Sequence, residues 1–581
     1  MNDVLQIRPF KSTKPIRGYK HPGEFEVTLD PRITNPELLR ISFVILLDGD
    51  LVMSPEHLGV AFMAATLRQV GVTCEIREAY VGHHNDALTG LADFDPNLVC
   101  FTLMSLNINS CQAFSKLAKR RFPDAVLMCG GPAATFTEYE LLDALPDIDF
   151  IATGEGESLI LDISERLLLG ETLEACPGLA YRDAQGRGRK NLPRPLIHRL
   201  EVLPFPARDQ LQAHGDRLEY VRLSSSRGCV AGCAFCSAPN LSNRVQNGRA
   251  WRAIRPERVV DEIEEIVKRH HFRTFDFVDS TFEDPDGGRV GKKRISSIAQ
   301  QIIDRGLDIY YNVCMRAENW SDDDHDLLTL LARSGLEKVN VGIESGIPEE
   351  LLLWGKRATV EDNIRVMRLL REHRIYLAMG FIPLHPYATI ESILQNAEFL
   401  HSQKAAHNLR RLTERLEVYP GTIIAKRLEN EGMLGDGYHK NLDLFDYSFK
   451  DPRVAQLTRH LVSLYNNEDF HESGVITETS AVYEFEVANV VIETFISRLN
   501  RSFYDVPGID EELSRFEEIL STTRQSMGDA NIEFLHTVLN QVLNDNLDPS
   551  IRSDQIKEIE RRFASCLNKL RSEQLRLGMR L

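Results

Sequence analysis

Residues 226–236 read Ser-Arg-Gly-Cys-Val-Ala-Gly-Cys-Ala-Phe-Cys, with three thiols at the spacing C-x-x-x-C-x-x-C. The glycines let the backbone turn tightly enough for three sulfurs to converge on one inorganic centre. Soft thiolates favour zinc or an iron–sulfur cluster. A structural zinc site normally needs four protein ligands, and no second C-x-x-C or close His pair follows. The pattern therefore indicates a four-iron cluster held by Cys229, Cys233 and Cys236, with one iron open to a further ligand.

Length and composition set the broad class. The chain has 581 residues, 43% of them hydrophobic and 26% charged, which predicts a soluble globular protein of about three domains. The net charge of −17 argues against a general nucleic-acid binder. No apolar run reaches membrane-spanning length, and no apolar core follows the basic amino terminus as in a secretory signal. Ten cysteines in so long a chain do not suggest a disulfide scaffold, so we expect a reduced, cytoplasmic compartment.

The first region, 41–182, alternates apolar β-branched runs with helical patterns. This predicts an α/β domain with a doubly wound, Rossmann-like parallel sheet, preceded by an extension at 1–40. Such sheets bind ligands at the carboxyl ends of their strands, where the turns Gly130-Gly131-Pro132 and Gly154-Glu155-Gly156-Glu157 fall. The predicted strands are 42–47, 72–76, 97–103, 125–129 and 150–153, and the predicted helices are 57–70 and 111–121.

A second α/β region, 218–434, follows a Gly- and Pro-rich linker at 183–217. Six strand candidates separated by helices predict a partial barrel, with polar residues at the carboxyl ends where barrel chemistry clusters. The remaining residues, 435–581, predict a mostly helical domain, either a cap on the barrel that helps to close the site or a recognition module. The predicted barrel strands are 218–223, 274–278, 309–314, 338–343, 375–382 and 416–419.

The cysteine motif resembles the signature of the radical SAM superfamily, in which S-adenosylmethionine (SAM) chelates the open iron. Residues 341–346, followed by Lys356, and residues 416–422 resemble stretches common in that group. The resemblance implies that the cysteines and Tyr419 take part in catalysis. His385, at the predicted barrel mouth, is either a substrate contact, an acid or base, or a loop-packing residue. The implied SAM contacts are Asp279, Ser280 and Thr281 for the amino end, Arg316 and Glu344 for the carboxylate and ribose, and Phe235 for the adenine, and Ser345 is a further implied cofactor contact.

Two departures from that family pattern stand out. The glycine-rich turn carrying Glu after the second strand is replaced by Asp279-Ser280-Thr281. After the fifth strand, residues 383–389 replace the common glycine–proline–glycine–Glu–Thr run.

The first region resembles the cobalamin-binding domain often found ahead of a radical SAM domain. Thr102-Leu103-Met104 followed by Gly130-Gly131 is similar to that fold's S-x-L…G-G pattern. The usual cobalt-ligating His is missing, because Glu56 takes its place and His57 lies one residue further on, as an ordinary helix-start residue. The corrinoid contacts that the resemblance implies are Thr102, Ser105, Gly130, Gly131, Gly154 and Glu155.

The resemblance covers about residues 41–434 and implies an enzyme with a [4Fe–4S] cluster, SAM and cobalamin. We expect C-methylation of an unactivated carbon of a small-molecule or natural-product intermediate, through a 5′-deoxyadenosyl radical and methylcobalamin. An external electron donor of the flavodoxin or ferredoxin type is implied, and neither nucleic acid nor membrane is expected as a partner. Two alternatives remain: ring contraction, cyclisation or rearrangement without methyl transfer, and a non-catalytic corrinoid or cluster sensor.

Overall fold

The computed structural model describes residues 17–18, 24–47, 56–80, 83–103, 107–215, 218, 220–239, 251–284, 289–465, 481–502, 507–544, 557–558, 561–569 and 571–572. Among these residues, no helix combines the length and apolar composition that crossing a bilayer requires.

The first domain is a seven-stranded sheet in the order β2-β1-β3-β4-β5-β6-β7, with the first five strands parallel. Its apolar first strand is covered on both faces: Ile41 and Phe43 join one core, and Val44 and Leu46 join another. The strands are β1 Arg40–Leu47, β2 Thr73–Tyr80, β3 Leu98–Thr102, β4 Val126–Gly130, β5 Phe150–Ala152, β6 Leu179–Arg182 and β7 Gly188–Lys190. The helices are α1 Leu58–Gln69, α2 His84–Phe94, α3 Ile108–Arg121, α4 Pro132–Phe136, α5 Glu138–Ala144 and α6 Gly156–Leu168.

The antiparallel pair β6–β7 extends this sheet beyond the predicted doubly wound core. Strand β7 lies within 183–217, a range that the sequence predicts as a linker. A short polar strand with exposed residues carries no apolar signal, because at the sheet edge it needs only backbone hydrogen bonds. The predicted linker therefore supplies one strand to the first sheet.

The second domain has a five-stranded parallel sheet in the order β14-β13-β12-β11-β8. At the predicted sixth strand, 416–419, the structure has only an isolated parallel bridge, between Leu384 and Arg415. The antiparallel pair β9–β10, which the sequence did not predict, brackets the cysteine loop. The strands are β8 Val221–Leu223, β9 Ser226–Gly228, β10 Trp251–Ala253, β11 Thr274–Phe277, β12 Tyr310–Met315, β13 Leu336–Glu344 and β14 Tyr376–Phe381.

Helices between and after these strands cover the outside of the barrel. The sequence pattern at 256–267, downstream of the cysteine loop, predicts a helix, and the structure has one that extends to His270. The helices are α7 Asp209–His214, α8 Pro256–His270, α9 Arg289–Asp304, α10 His325–Ser334, α11 Pro348–Leu353, α12 Val360–Glu372, α13 Ile390–Ser402, α14 Arg410–Thr413, α15 Ile423–Asn430 and α16 Asp436–Asn441.

The C-terminal helices α17 Pro452–Tyr465, α18 Ala481–Ser502 and α19 Ile509–Leu543 confirm the predicted helical domain. Arg498 Nε lies 2.6 Å from Oε2 of Glu337, which is near the start of β13, and Arg501 Nε donates to the Arg333 carbonyl at 3.0 Å. Helix α18 thus packs at the amino-terminal ends of the barrel strands, whereas Arg453 in the first turn of α17 lies 3.8 Å from Glu391 in α13, the helix that follows β14. That the C-terminal helices help to close the site stays a prediction.

Candidate active site

A cavity of about 450 Å³ lies at the carboxyl ends of β11 to β14. Side chains from every one of these strand ends reach its wall, as parallel strands require. Seven of the predicted site residues line it: Cys229, Cys233, Phe235, Cys236, Ser280, Arg316 and Glu344.

The cysteine loop is held open by backbone hydrogen bonds. The Ala234 amide donates to the Trp354 carbonyl at 2.7 Å, and the Ile424 amide donates to the Ala234 carbonyl at 2.9 Å. Burial raises the pKa of the Cys233 thiol, and it raises the pKa of Cys236 to about 11. These sulfurs therefore become thiolates when a cationic centre binds them, which is the behaviour of metal-ligating cysteines.

Asp279 supports the loop and does not line the cavity. Its carboxylate accepts from the backbone amides of Ser225 at 2.8 Å and Ser226 at 3.1 Å, and from the Ser225 hydroxyl. Thr281 is likewise buried, and its hydroxyl donates to the Glu283 carbonyl at 3.2 Å. Of the three predicted contacts to the amino end of SAM, the geometry thus leaves only Ser280 on the cavity wall.

Arg316 offers an unused donor. One side of its guanidinium group pairs with Glu318, whereas Nη1 is buried and has no hydrogen-bond partner among the described residues. Its backbone amide donates to Glu283 Oε1 at 2.8 Å, which fixes the end of β12. A buried, unsatisfied guanidinium nitrogen beside a cavity suits a carboxylate ligand.

Glu344 ends β13 with a positive φ of 65° at an irregularity in the pairing with β14. Its carboxylate lies over Gly342 and Gly380, where a Cβ atom would meet its oxygens. Lys356 Nζ donates to the Gly342 carbonyl at 2.7 Å and lies 3.7 Å from Glu344 Oε1. Burial raises the pKa of Glu344, and Lys356 offsets only part of this effect.

Phe235 lies on the cavity wall with its ring 5.7 Å from the Trp354 ring in an edge-to-face arrangement. The cysteine loop thus presents a fixed aromatic surface beside its thiols, as the predicted adenine contact requires.

Three other predicted residues lie outside the cavity wall. His385 is 1% exposed, its Nε2 lies 3.2 Å from Glu350 Oε1, and its Nδ1 accepts from the Tyr387 amide at 3.3 Å. Ser345 donates to Glu350 Oε2 at 2.6 Å in the same buried network. Tyr419 donates to Glu417. His385 is therefore packed within the loop that follows β14, and its role in catalysis stays a prediction.

At the carboxyl edge of the first sheet, Thr102 Oγ1 is buried without a partner among the described residues. Gly131 has φ of 130°, and a Cβ there would meet the Leu103 carbonyl oxygen, so only glycine fits. Gly130 ends β4, and Gly154 follows β5 with φ of 85°. The Thr102 hydroxyl, which lacks a hydrogen-bond partner among the described residues, lies at the same edge as glycines without side chains, and this arrangement fits a bulky polar ligand. The predicted contact Ser105 lies outside the described residues.

Glu155 does not face this edge as a free ligand. Its Oε1 lies 2.8 Å from Arg252 Nη2, and its Oε2 accepts from the Ile197 amide at 3.0 Å. Arg227, two residues before the first cysteine, donates to Glu157 at 2.6 Å and lies 3.5 Å from Glu155. Burial would raise the pKa of Glu155, but Arg227 and Arg252 outweigh it and lower that pKa. Glu155 therefore forms an interdomain ion pair with Arg252, and its contact with the corrinoid stays a prediction.

A second interdomain link explains the residue at the missing His position. Glu56 is 1% exposed and accepts from Arg208 Nη1 at 2.7 and 2.8 Å, and from the Arg222 amide at 3.1 Å. Its carboxylate is thus bound to the barrel rather than directed at a corrinoid. His57 is the N-cap residue of α1, as expected for a helix start.

Sequence reasoning missed several residues of the cavity wall. Lys356 was noticed only as part of a motif, and Cys314, Asn340, Arg357 and Arg411 gave no motif signal. Arg411 reaches the cavity from the short helix α14, which follows no strand directly. Only the folded chain could have revealed it.

The donor set fits the implied cofactors. Three thiols on one cavity wall suit a cluster with one open iron, and the unpaired Arg316 Nη1 suits the SAM carboxylate. The orphaned Thr102 hydroxyl beside Gly131 suits the polar periphery of a corrinoid.

Comparisons with known proteins agree with this geometry. The sequence model of the Radical SAM superfamily matches residues 223–400 and that of the B12 binding domain matches residues 50–163. An uncharacterized methyltransferase of Pyrococcus horikoshii is 27% identical over 348 residues, 59% of this chain and 72% of that protein. The anaerobic magnesium-protoporphyrin IX monomethyl ester cyclase of Cereibacter sphaeroides is 27% identical over 341 residues, 56% of this chain and 52% of that protein.

Among solved structures, the cobalamin-dependent SAM radical enzyme OxsB with aqua-cobalamin and SAM bound superposes with a TM-score of 0.64. The aligned region covers 92% of this chain and 84% of that chain, at 18% identity, and this likeness shows the fold. The two family matches lie on the two domains whose ligand edges are described above. The chain belongs to the radical SAM enzymes that carry a B12-binding domain ahead of the catalytic barrel, and its cofactors are a [4Fe–4S] cluster, SAM and cobalamin.

Proposed function

We propose that this enzyme methylates an unactivated carbon of a small-molecule or natural-product intermediate. When bound, the cofactors supply an electron, a 5′-deoxyadenosyl radical and a methyl group. The observation that carries the proposal is the docking of the first domain's ligand edge onto the cysteine loop through Glu155, Glu157 and Arg227. A methyl carrier and a hydrogen-abstracting centre must face one substrate, and this contact brings their two sites together.

The chain's own groups bind and orient the reactants. The three cysteines hold the cluster, Arg316 pairs with the SAM carboxylate, and Glu344 accepts hydrogen bonds from the ribose hydroxyls. Phe235 supplies a flat surface for the adenine. Asp279 fixes the start of the cysteine loop by accepting hydrogen bonds from the Ser225 and Ser226 amides. Tyr419 is two residues before Gly421, which packs on Phe136 of the first domain. Tyr419 therefore lies near the boundary between the ligand edges of the two domains. An external flavodoxin- or ferredoxin-type protein supplies the electrons.

Product analysis tests the proposal. We would reconstitute the protein anaerobically with iron, sulfide and hydroxocobalamin, add SAM and a reductant, and quantify products by mass spectrometry. We expect both 5′-deoxyadenosine and S-adenosylhomocysteine, and loss of cluster absorbance and of 5′-deoxyadenosine in the triple variant with Cys229, Cys233 and Cys236 changed to Ala. SAM cleavage retained in that variant would contradict the cluster assignment.

A second candidate is cyclisation or rearrangement without methyl transfer, which is favoured by the similarity to the magnesium-protoporphyrin monomethyl ester cyclase. It predicts 5′-deoxyadenosine without S-adenosylhomocysteine and a product that gains no methyl mass. A corrinoid or cluster sensor without catalysis predicts that SAM is not cleaved at all.

A further inference from the structure

A buried carboxylate on the short helix α11 lies behind the wall of the cavity. Glu350 is 7% exposed and does not line the cavity itself. Its oxygens accept three hydrogen bonds: Oε1 from His385 Nε2 at 3.2 Å, and Oε2 from Ser345 Oγ at 2.6 Å and Asn396 Nδ2 at 2.8 Å. Ser345 follows β13, Asn396 belongs to α13, and His385 belongs to the loop after β14. One side chain thus joins three separate segments of the barrel.

The hydrogen bonds fix the orientation of both members of the Glu350–His385 pair. Burial would raise the pKa of Glu350, but its interactions with His385, Ser345 and Asn396 outweigh burial and lower that pKa. The ionised carboxylate only accepts, so Nε2 of His385 carries a hydrogen, while Nδ1 accepts from the Tyr387 amide at 3.3 Å. His385 belongs to residues 383–389, where the chain departs from the common run of its family. The pair therefore gives this unusual loop a single arrangement.

Towards β13, the network holds the turn that follows Glu344. The buried Ser345 hydroxyl also accepts from the Ile347 amide at 2.9 Å, and Asn396 Oδ1 accepts from the Gly346 amide at 2.8 Å. Glu344 has a positive φ of 65°, which persists only when the surrounding structure fixes it. The network supplies that support and so aims the Glu344 carboxylate into the cavity.

Towards the cysteine loop, the network acts through Trp354. The His385 ring lies 4.8 Å from the Trp354 ring in an edge-to-face arrangement, and the Trp354 ring lies 5.7 Å from that of Phe235. The Trp354 carbonyl also accepts from the Ala234 amide at 2.7 Å, within the loop that carries the thiols. Trp354 is fully buried, so a displaced His385 ring would shift both the Phe235 ring and the backbone of the loop.

We propose that Glu350 and His385 are positioning residues for SAM. They hold the Glu344 carboxylate and the Phe235 ring in fixed places relative to each other and to the cluster. One ligand must meet a ribose contact, an adenine contact and the open iron at the same time, which requires that these three surfaces stay in register. The inference rests on the proposed placement of SAM against Glu344 and Phe235, and it does not depend on methyl transfer.

SAM binding to the reconstituted holoprotein tests the proposal. Glu350→Gln keeps the shape of the side chain but, whichever way the amide turns, it sets an N–H against a donor, so we expect the SAM affinity measured by calorimetry to fall about tenfold. His385→Gln keeps a donor near the position of Nε2, whereas His385→Asn does not, so the Gln variant should bind SAM more tightly than the Asn variant. Iron content and cluster absorbance should stay at the wild-type level, because the three thiols are unchanged.

The reduced cluster reports where SAM lies. Its electron paramagnetic resonance signal at saturating SAM should differ between the wild type and Glu350→Gln, because a displaced ligand meets the open iron differently. Glu337→Gln is the matched control, since Glu337 is also a buried, paired carboxylate but lies near the start of β13, away from the cavity. This control should lower the free energy of unfolding and leave both the SAM affinity and the resonance signal unchanged.

Four results would overturn the positioning role: SAM affinity unchanged in Glu350→Gln, a SAM-bound signal identical to that of the wild type, equal affinities in the two His385 variants, or an equal loss in Glu337→Gln. If Glu350→Gln fails to fold, the two His385 variants decide. Glu344→Gln separates this inference from the proposed function. Undiminished SAM affinity in Glu344→Gln would contradict the proposed SAM placement, whereas a loss there with none in Glu350→Gln would contradict the positioning role alone.

Discussion

Glu344 is held in a conformation that its neighbours impose. Its positive φ of 65° is unfavourable for a residue with a side chain, and the residue is 7% exposed, with its carboxylate above Gly342 and Gly380. Lys356 is the nearby cation, and burial still raises the pKa of the carboxyl group. A residue in this strained and buried conformation lowers the stability of the folded protein, and it is retained because it can bind a ligand.

We expect Glu344→Gln to weaken SAM binding by about 10- to 100-fold, because charge-assisted hydrogen bonds contribute about 1.5–3 kcal/mol. The ligand-free variant should be at least as stable as the wild type at pH 7. The folded pKa is raised, so the wild type's penalty is absent below the ordinary pKa of 4.5 and grows as pH rises through the folded pKa. Calorimetric SAM titration and chemical unfolding from pH 4 to pH 8 would check both; a destabilised variant at pH 7 would contradict the burial argument.

At the scale of elements, helix α18 anchors the barrel at the end away from the cavity. Arg498 reaches Glu337, which is 1% exposed near the start of β13, and Arg501 donates to a backbone carbonyl beside it. Helix α18 thus stabilises the strand starts, at the end of the barrel away from the cavity.

Arg498→Ala should lower the free energy of unfolding by about 3–5 kcal/mol, because it leaves a buried carboxylate without its cation. SAM affinity should not change, since the cavity lies at the other end of the strands. Arg374→Ala is the matched control: Arg374 joins the same helices to the barrel through the exposed Asp510 and half-exposed Glu517, and its loss should cost only about 0–1 kcal/mol. Denaturant titration and SAM calorimetry would measure both quantities, and equal destabilisation would contradict the assignment.

At the scale of the whole molecule, the two α/β domains meet through their ligand edges. Glu155 and Glu157 follow β5 of the first sheet, while Arg227 and Arg252 lie on the strand pair that brackets the cysteine loop. Arg227 also lies 5.0 Å from the centre of the Phe62 ring. The charge balance beside the cluster therefore depends on the first domain.

Glu157→Gln should raise the reduction potential of the cluster by on the order of 50 mV, the effect of one charge about 15 Å away at an effective dielectric of about 20. The sign follows because the reduced cluster carries an extra electron, which a less compensated Arg227 stabilises. Glu138→Gln is the control, since Glu138 is also buried but pairs with Lys190 inside the first domain. A redox titration followed by electron paramagnetic resonance would decide, and equal potentials in the two variants would contradict the coupling.

Local sequence pattern was sufficient to predict that the three thiols share one loop and that the strands are parallel. Cys229, Cys233 and Cys236 lie within one loop, so their spacing along the chain already limits their spacing in space. The apolar run of β1 and the glycines after β4 likewise depend on short-range physics: burial on both faces, and a backbone position that no Cβ can occupy.

Contacts between distant segments could not be predicted from local sequence pattern. His385 and Glu155 both looked like site residues because polar groups at strand ends commonly are. Their partners, Glu350 and Arg252, lie 35 and 97 positions away, and only packing brings them together. The same holds for Arg411, which enters the cavity from a short helix with no motif of its own.

The chain's order of residues thus decides its cofactor chemistry, since ligand type and local spacing are properties of short segments. Which face each domain presents to the other, and which side chains from distant segments line the cavity, are decided by tertiary structure alone. The physical reason is that burial and charge pairing are set by neighbours in space, and one or two residues of shift along a strand or turn redirect a side chain to another face.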